Sequence, residues 1–222
     1  FFPLSVFKDK IILKSDEKKT INDFIFSTEK DTDHTNKRKQ DAWLGDTKGQ
    51  EFLFKNSIFK NLAKQIGDKI KAYTTILNID NEQIDFFYQR SWATLTRTEE
   101  RIHQHSHDQS NISFAYYPLK PANSGNIKFF VQPQNEIAAG LFHYEKLKLG
   151  LLKEVNIRNA PSIDLHVEED DIVIFPSKTK HATTPNKTKN PRISISGDIT
   201  IMLKDSFGHE RLMPHYNNWQ SF

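Results

Sequence analysis

Three of the nine histidines fall within five residues, at His103, His105 and His107. Alternate side chains of an extended strand point to the same side, so this spacing aims imidazoles at a common point, as chelation of a metal ion requires. Neighbouring members of the series stand about 7 Å apart along a strand and the outer two about 13 Å, so an adjacent pair can share one ion while the outer pair would strain to do so. The spacing therefore predicts a ligand set of one neighbouring pair plus a residue from elsewhere in the chain. A polar edge strand with scattered histidines would look the same, and a second signal is needed to separate the two.

That signal is IVIFPSKTKHATTPNKTKNPRISIS, residues 172–196. An apolar strand ends at a Pro turn, His181 follows, and Arg192, one of seven arginines in a Lys-rich chain, opens the next alternating strand. Alternation puts Arg192, Ser194 and Ser196 on one face and Ile193 and Ile195 on the other. If the polar face points inward, the guanidinium needs an anion, because burying it unpaired is very costly. A ligand carboxylate gripped by a bidentate contact supplies one solution, and a structural ion pair to an internal Asp or Glu supplies another.

The elements around these residues must form one core from 222 residues, a length that suits a single domain, 1–222. Hydrophobic residues make up only 36% of the chain, but 17 Phe bury large areas per residue and compensate for the scarcity of aliphatic carbon. Zero Cys excludes disulfides, thiolate nucleophiles and Cys-ligated zinc or iron–sulfur sites, so any metal must be held by His, Asp or Glu. A net charge of +3 is too small to mark a nucleic-acid binder. No apolar run approaches a membrane span, and the lysines among the first fourteen residues interrupt any signal-peptide core. The expectation is a soluble, cytoplasmic protein with its initiator Met upstream of Phe1.

Residues 4–13 suit one or two strands, and Ser15 is a candidate cap for a short helix with Ile21, Phe24 and Ile25 on one face. From Glu29 to Gln50 the chain turns polar, with Trp43 and Leu44 as anchors and Lys37 to Lys39 as a solvated loop. Phe59, Leu62, Ile66, Ile70, Tyr73 and Leu77 recur at three or four residues, which predicts a helix of about twenty residues with one apolar stripe. After Asp80 the period becomes two: Ile84, Phe86 and Tyr88 alternate, and strand-like runs follow at 111–117, 127–131, 172–175 and 192–203. A long helix followed by short strands predicts a mainly β chain: N-terminal strands and helices over 1–80, a jelly-roll core over 81–204 and a tail over 205–222. Residues 140–158 fit either helix or irregular insert, and Glu168 to Asp171 reads as a polar turn ahead of a strand rather than a hard-cation site. His143, His166, His209 and His215 lack partner spacing. Trp92 reads as core, with a pocket wall as the alternative.

HSHDQSNISFAYYP, GNIKFF, DDIVIFPSKTKHATTPN and RISIS, in this order and spacing, resemble the Fe(II)- and 2-oxoglutarate-dependent oxygenases, in particular their prolyl-hydroxylase-like microbial and phage branch. The likeness extends weakly upstream through FFPLSVF, DAWLGD, the long helix and SWATL. It implies a double-stranded β-helix, a cupin-like jelly roll with helices bracing one sheet. It also implies a hydroxylase that couples oxidation of an organic substrate, with a prolyl or other peptide residue as a candidate, to conversion of 2-oxoglutarate and O2 into succinate and CO2, with ascorbate as a candidate reductant. Carried over by register, the metal ligands fall on His105, His107 and His181, with His103 just outside. Arg192 would meet the far carboxylate of 2-oxoglutarate, helped by Ser194 and the Tyr117 hydroxyl, with Ile127 and Phe129 walling the pocket. The commonest ligand set of this class has a carboxylate where His107 stands, so either iron takes three neutral ligands or Asp108 turns inward. Two other readings share the histidines: a cupin-like three-histidine metalloenzyme that does not use 2-oxoglutarate, which would not require Arg192-x-Ser194, and a non-catalytic jelly-roll binding or virion protein with a surface histidine cluster.

Overall fold

The computed structural model describes residues 4–32, 38–130, 144–156, 158–205 and 213–222. Two antiparallel sheets face each other. The larger has the order β1 (Phe7–Lys10), β7 (Asp171–Pro176), β4 (Ile112–Leu119), β9 (Arg192–Leu203), β3 (Ile84–Thr96), β2 (Trp43–Leu44). The smaller has the order β6 (Ser162–Leu165), β5 (Ile127–Phe130), β8 (His181–Thr183). Apart from β2–β3 and β5–β6, the strands that pair are not neighbours in sequence, which is the crossed connectivity of a jelly roll and agrees with the expected double-stranded β-helix. No helix among the described residues is long and apolar enough to cross a membrane.

Two helices brace the outer face of the large sheet, and their apolar stripes explain why. On α2 (Lys60–Ile76), Leu62, Ile66, Ile70 and Tyr73 are at most 2% exposed, as is Phe59 in the 3-10 turn that leads into the helix. They pack on Leu95, Phe114, Tyr116, Ile193 and Ile195, the apolar sides of the three central strands. The stripe stops one turn earlier than its spacing predicts: Leu77 is the C-cap, 39% exposed, and Asn78 takes a left-handed φ of 59° that ends the helix. The first helix, α1 (Ser15–Lys30), is longer than expected, and Ser15 is its first helical residue rather than its cap. Lys14 occupies the cap position without a side-chain bond, and Asp16 and Glu17 in the first turn complement the helix dipole instead. Truncation of Ile66 to Ala, at the centre of this interface, is expected to cost about 2–5 kcal/mol, read as a lower urea midpoint.

Strand β3 pairs with β9 from end to end, from Ile84 opposite Leu203 to Thr96 opposite Arg192, with one bulge between Tyr88 and Arg90. The bulge and the neighbouring β4–β9 pairing leave Arg90 and Ser113 directly across from Asp198 on its two sides. The region 140–158 holds only a short helix, α3 (Tyr144–Lys148), among its described residues. The Glu168–Asp171 segment is the expected turn, and its acids clasp Lys8, Lys10 and Lys18. Those bonds tie β1 and α1 to the start of β7, so the acidic run serves the fold.

Candidate active site

A cavity of about 870 Å³ opens between the sheets. Its large-sheet wall comes from residues of one parity on the three central strands, because the other parity is committed to the helices. Strand β3 contributes Arg90, Trp92 and Thr94; β9 contributes Ser194, Ser196 and Asp198; β4 contributes Ala115 and Tyr117. Phe175 of β7 adds to the same wall, and Ile127, His181 and Thr183 of the small sheet form the facing one. Phe129 lies behind that wall, stacked edge-on against Phe175 at 5.1 Å.

The structure brings His105, His107 and His181 together, one ligand atom from each lying within 4.8 Å of the others. Backbone pairing holds them there. His105 and His181 exchange two N–H to carbonyl bonds of 2.9 Å, and the His107 N–H donates to Ser177 O at 2.9 Å. The His-x-His segment therefore lies across β8 and the preceding turn as a short bridge, not as a regular strand. In each ring Nδ1 faces an acceptor: His103 O at 2.8 Å from His105, Asp198 Oδ1 at 2.6 Å from His107, and Thr179 O at 2.8 Å from His181. Nδ1 must then carry the proton, which leaves the lone pair of all three rings on Nε2. His107 Nε2 is buried without a hydrogen-bond partner. Burial lowers the pKa of His105, and that of His181 is pushed down to about 3 by burial and then by the neighbouring His105. Both rings are therefore neutral near pH 7. A trio of imidazoles on one cavity wall, with Nε2 lone pairs free, suits a divalent transition metal and leaves room for further ligands on the cavity side.

His103 stands apart, 58% exposed in its side chain and paired with Asp41 at 2.9 Å. Asp108 lines the cavity but accepts a hydrogen bond from Ser106 at 3.2 Å and is not part of the histidine cluster. The carboxylate that does reach the site is Asp198, which sequence reasoning missed. The signal was present, since Asp198 is the next step of the Arg192, Ser194, Ser196 alternation. Its side chain is 5% exposed and accepts from His107 and, at 2.8 Å, from Ser113 Oγ. Burial raises its pKa, but the bonds from His107 and Ser113 and the charge of Arg90 outweigh this and hold the carboxyl below its ordinary value.

Arg192 occupies the closed end, fully buried, directly behind the wall formed by Tyr117, Thr94, Thr183 and Ser194. Its Nη1 donates to Ser124 O at 2.8 Å, and its Nη2 to Thr96 Oγ1 at 3.1 Å and Thr183 Oγ1 at 3.2 Å. Nε is buried and unpartnered. Among the described residues no carboxylate pairs with Arg192, so the internal ion pair that was the alternative explanation for this residue is not formed. Gly125 makes the arrangement possible: it has φ +90°, and a Cβ there would stand 2.7 Å from Nη1 and 2.2 Å from Thr184 O. Lys120 adds a second cation, with its pKa lowered to about 8 by burial and then by Arg192. Burial pushes the Tyr117 hydroxyl up to about 12 against the charge of Arg192, so it is a neutral hydrogen-bonding group beside the guanidinium.

Trp92 fills both roles considered for it: 6% exposed, it lines the cavity and stacks on His107 at 5.5 Å. At the mouth, Arg38 joins Asp41, Asp46 and Arg101, so the basic run is not wholly a detached loop; Lys37 lies outside the described residues. Asp46 pairs with Arg90 at 2.8 Å, and neither was singled out from sequence. His166 is exposed, 3.7 Å from Glu168. His215 is buried against Asp85 at 3.3 Å in the C-terminal segment, where Trp219 is 56% exposed. His143 and His209 lie outside the described residues.

Residues 90–198 match the model of the family described as "Putative 2OG-Fe(II) oxygenase". No curated protein sequence matches the chain. Among solved structures, HygX from Streptomyces hygroscopicus, crystallised with nickel and 2-oxoglutarate, is 12% identical over 89% of this chain and 83% of its own, with a TM-score of 0.57. A Pseudomonas putida prolyl-4-hydroxylase is 12% identical over 89% of this chain and 93% of its own, at 0.52. A viral collagen prolyl hydroxylase from Paramecium bursaria Chlorella virus-1 is 11% identical over 87% and 94%, also at 0.52. At these identities the neighbours speak for the fold, and the family model speaks for the chemistry. Fold, family model and histidine cluster define an Fe(II)- and 2-oxoglutarate-dependent oxygenase. The stretch that matches that family's model runs from Arg90 to Asp198 and holds His105, His107, His181 and Arg192.

Proposed function

We propose that His105, His107 and His181 hold Fe(II) through Nε2, that Arg192 binds the distal carboxylate of 2-oxoglutarate, and that the protein hydroxylates an organic substrate with release of succinate and CO2. The observation that carries this reading is a pairing of opposites: three histidine nitrogens gathered on the cavity, and, bonded to Thr183 of the cavity lining, a buried guanidinium with no carboxylate partner among the described residues. Iron with 2-oxoglutarate bound supplies the oxidising chemistry, and the chain supplies placement and exclusion of water. Tyr117 and Ser194 offer hydroxyls to the cosubstrate carboxylate, and Ile127, which lines the cavity with Phe129 in the apolar cluster behind it, keeps its methylene chain dry. Arg192 is held by neutral oxygens alone, so an incoming carboxylate adds the missing charge without displacing a native ion pair. The outer half of the cavity, with Asp41, Asp46, Arg90 and Arg101, is left for the prime substrate. That substrate is a small molecule or a peptide residue, prolyl among the candidates because prolyl hydroxylases share the fold. Three-histidine chemistry without 2-oxoglutarate would leave the carboxylate-free Arg192 unexplained.

Anaerobic titration of apoprotein with Fe(II) and then 2-oxoglutarate is expected to raise a visible metal-to-ligand charge-transfer band. With O2 and ascorbate added, slow conversion of 2-oxoglutarate to succinate is expected even without the prime substrate. Loaded iron with no 2-oxoglutarate binding would favour the cupin-like alternative.

A further inference from the structure

We propose that Asp198 is the positioning residue that replaces, one bond further out, the carboxylate this metal site lacks: its charge sets the site's affinity for a divalent metal through His107. The inference rests on the reading of His107 as a ligand. Three neutral imidazoles leave the full charge of a divalent ion uncompensated by the protein's own ligands, whereas two imidazoles and one carboxylate cancel one unit of it. The structure places one carboxylate behind one ring, and that ring is His107, the position where a carboxylate ligand would otherwise stand. The Nδ1 to Oδ1 distance is 2.6 Å, in a place where both side chains are nearly closed to solvent, 12% and 5% exposed. The other two rings donate to uncharged backbone carbonyls. A charge-assisted bond at this range fixes the ring, commits its proton to Nδ1 and increases the electron density at Nε2.

The fold holds Asp198 to this task. Ser113 on β4 donates to the same Oδ1 at 2.8 Å, and Ser113 and Ser110 both reach Ser177 Oγ, at 2.9 and 2.7 Å. Ser177 O in turn receives the His107 backbone N–H. Ring and carboxylate are thus registered through one chain of bonds. Arg90, across from Asp198 on β3, forms its ion pair with Asp46, so among the described residues no Lys or Arg is ion-paired to the Asp198 carboxylate, which meets His107 through a hydrogen bond.

The test is anaerobic titration of apoprotein with Co(II) and Fe(II), reading affinity and the Co(II) absorption spectrum, with the thermal midpoint of each variant as a fold control. Asp198→Asn keeps the shape and an accepting oxygen but removes the charge, and is expected to weaken metal binding about 10- to 100-fold. Ser113→Ala removes a neighbouring bond to the same oxygen but keeps the charge, and is expected to weaken binding by less than Asp198→Asn does. In a His107→Asp background, where a carboxylate already sits at the metal, adding Asp198→Asn is expected to maintain or raise affinity, because two carboxylates side by side resist joint ionisation. Wild-type affinity in Asp198→Asn overturns the proposal, as does equal weakening by Asp198→Asn and Ser113→Ala, or equal weakening by Asp198→Asn in both backgrounds, since either equality describes a structural part only. The underlying ligand reading fails separately, if His181→Ala binds metal as tightly as wild type.

Discussion

Replacing Arg192 with Leu is expected to lower the affinity for 2-oxoglutarate at least about tenfold, since a hydrogen bond to a charged group is worth roughly 1.5–3 kcal/mol. The affinity for Fe(II) should stay near its wild-type value, because none of the three histidines contacts the guanidinium. The substitution also strips Ser124 O, Thr96 Oγ1 and Thr183 Oγ1 of their donor, so some loss of thermal stability accompanies it. The separation of the two ligands is what identifies the role: a variant that merely loosened the fold would lose iron and cosubstrate together. Calorimetric titration of each ligand into folded variant decides it, and unchanged 2-oxoglutarate affinity would move the carboxylate-binding role to another residue, with Lys120 the nearest cation on electrostatic grounds.

His107→Ala is expected to abolish tight Fe(II) binding, and Asp108→Ala to retain most of it. The two residues are adjacent in sequence, yet the His107 ring lies among the other two, with centroids 5.1 Å from His105 and 5.2 Å from His181, while Asp108 is engaged with Ser106. Removing the His107 ring also leaves the buried Asp198 carboxylate with the Ser113 hydroxyl but without its ring donor, which adds to the loss. Iron stoichiometry and succinate formation measured on both variants decide the assignment. Retention of iron by His107→Ala with loss in Asp108→Ala would transfer the ligand to the carboxylate while leaving the oxygenase class intact.

The histidine trio shows how far a local pattern reaches. Two histidines at i and i+2, a Pro turn before a third, and a guanidinium opening an alternating strand are all features of a few consecutive residues, and each was legible. The helix on α2 was legible for the same reason, because an apolar residue every three or four positions has one geometric meaning. Where a local pattern failed, a local competitor had won: Asn78 adopts the left-handed conformation and ends α2 before Leu77 can join the stripe, and Ser15 enters α1 instead of capping it.

What the sequence by itself determined, then, is which side chains share a face: Arg192 with Ser194 and Ser196 against Ile193 and Ile195, and the buried stripe from Phe59 to Tyr73. Backbone geometry imposes those periods within a single element, so no distant residue is needed to fix them. Which faces meet was decided only by tertiary structure. His107 and Asp198 are 91 positions apart, and they touch because β4 and β3 each pair with β9 in a register that sets Ser113 and Arg90 opposite Asp198. A shift of one residue would have turned Asp198 toward the helices and put an isoleucine behind the ring, and register of this kind follows from the packing of the whole sheet.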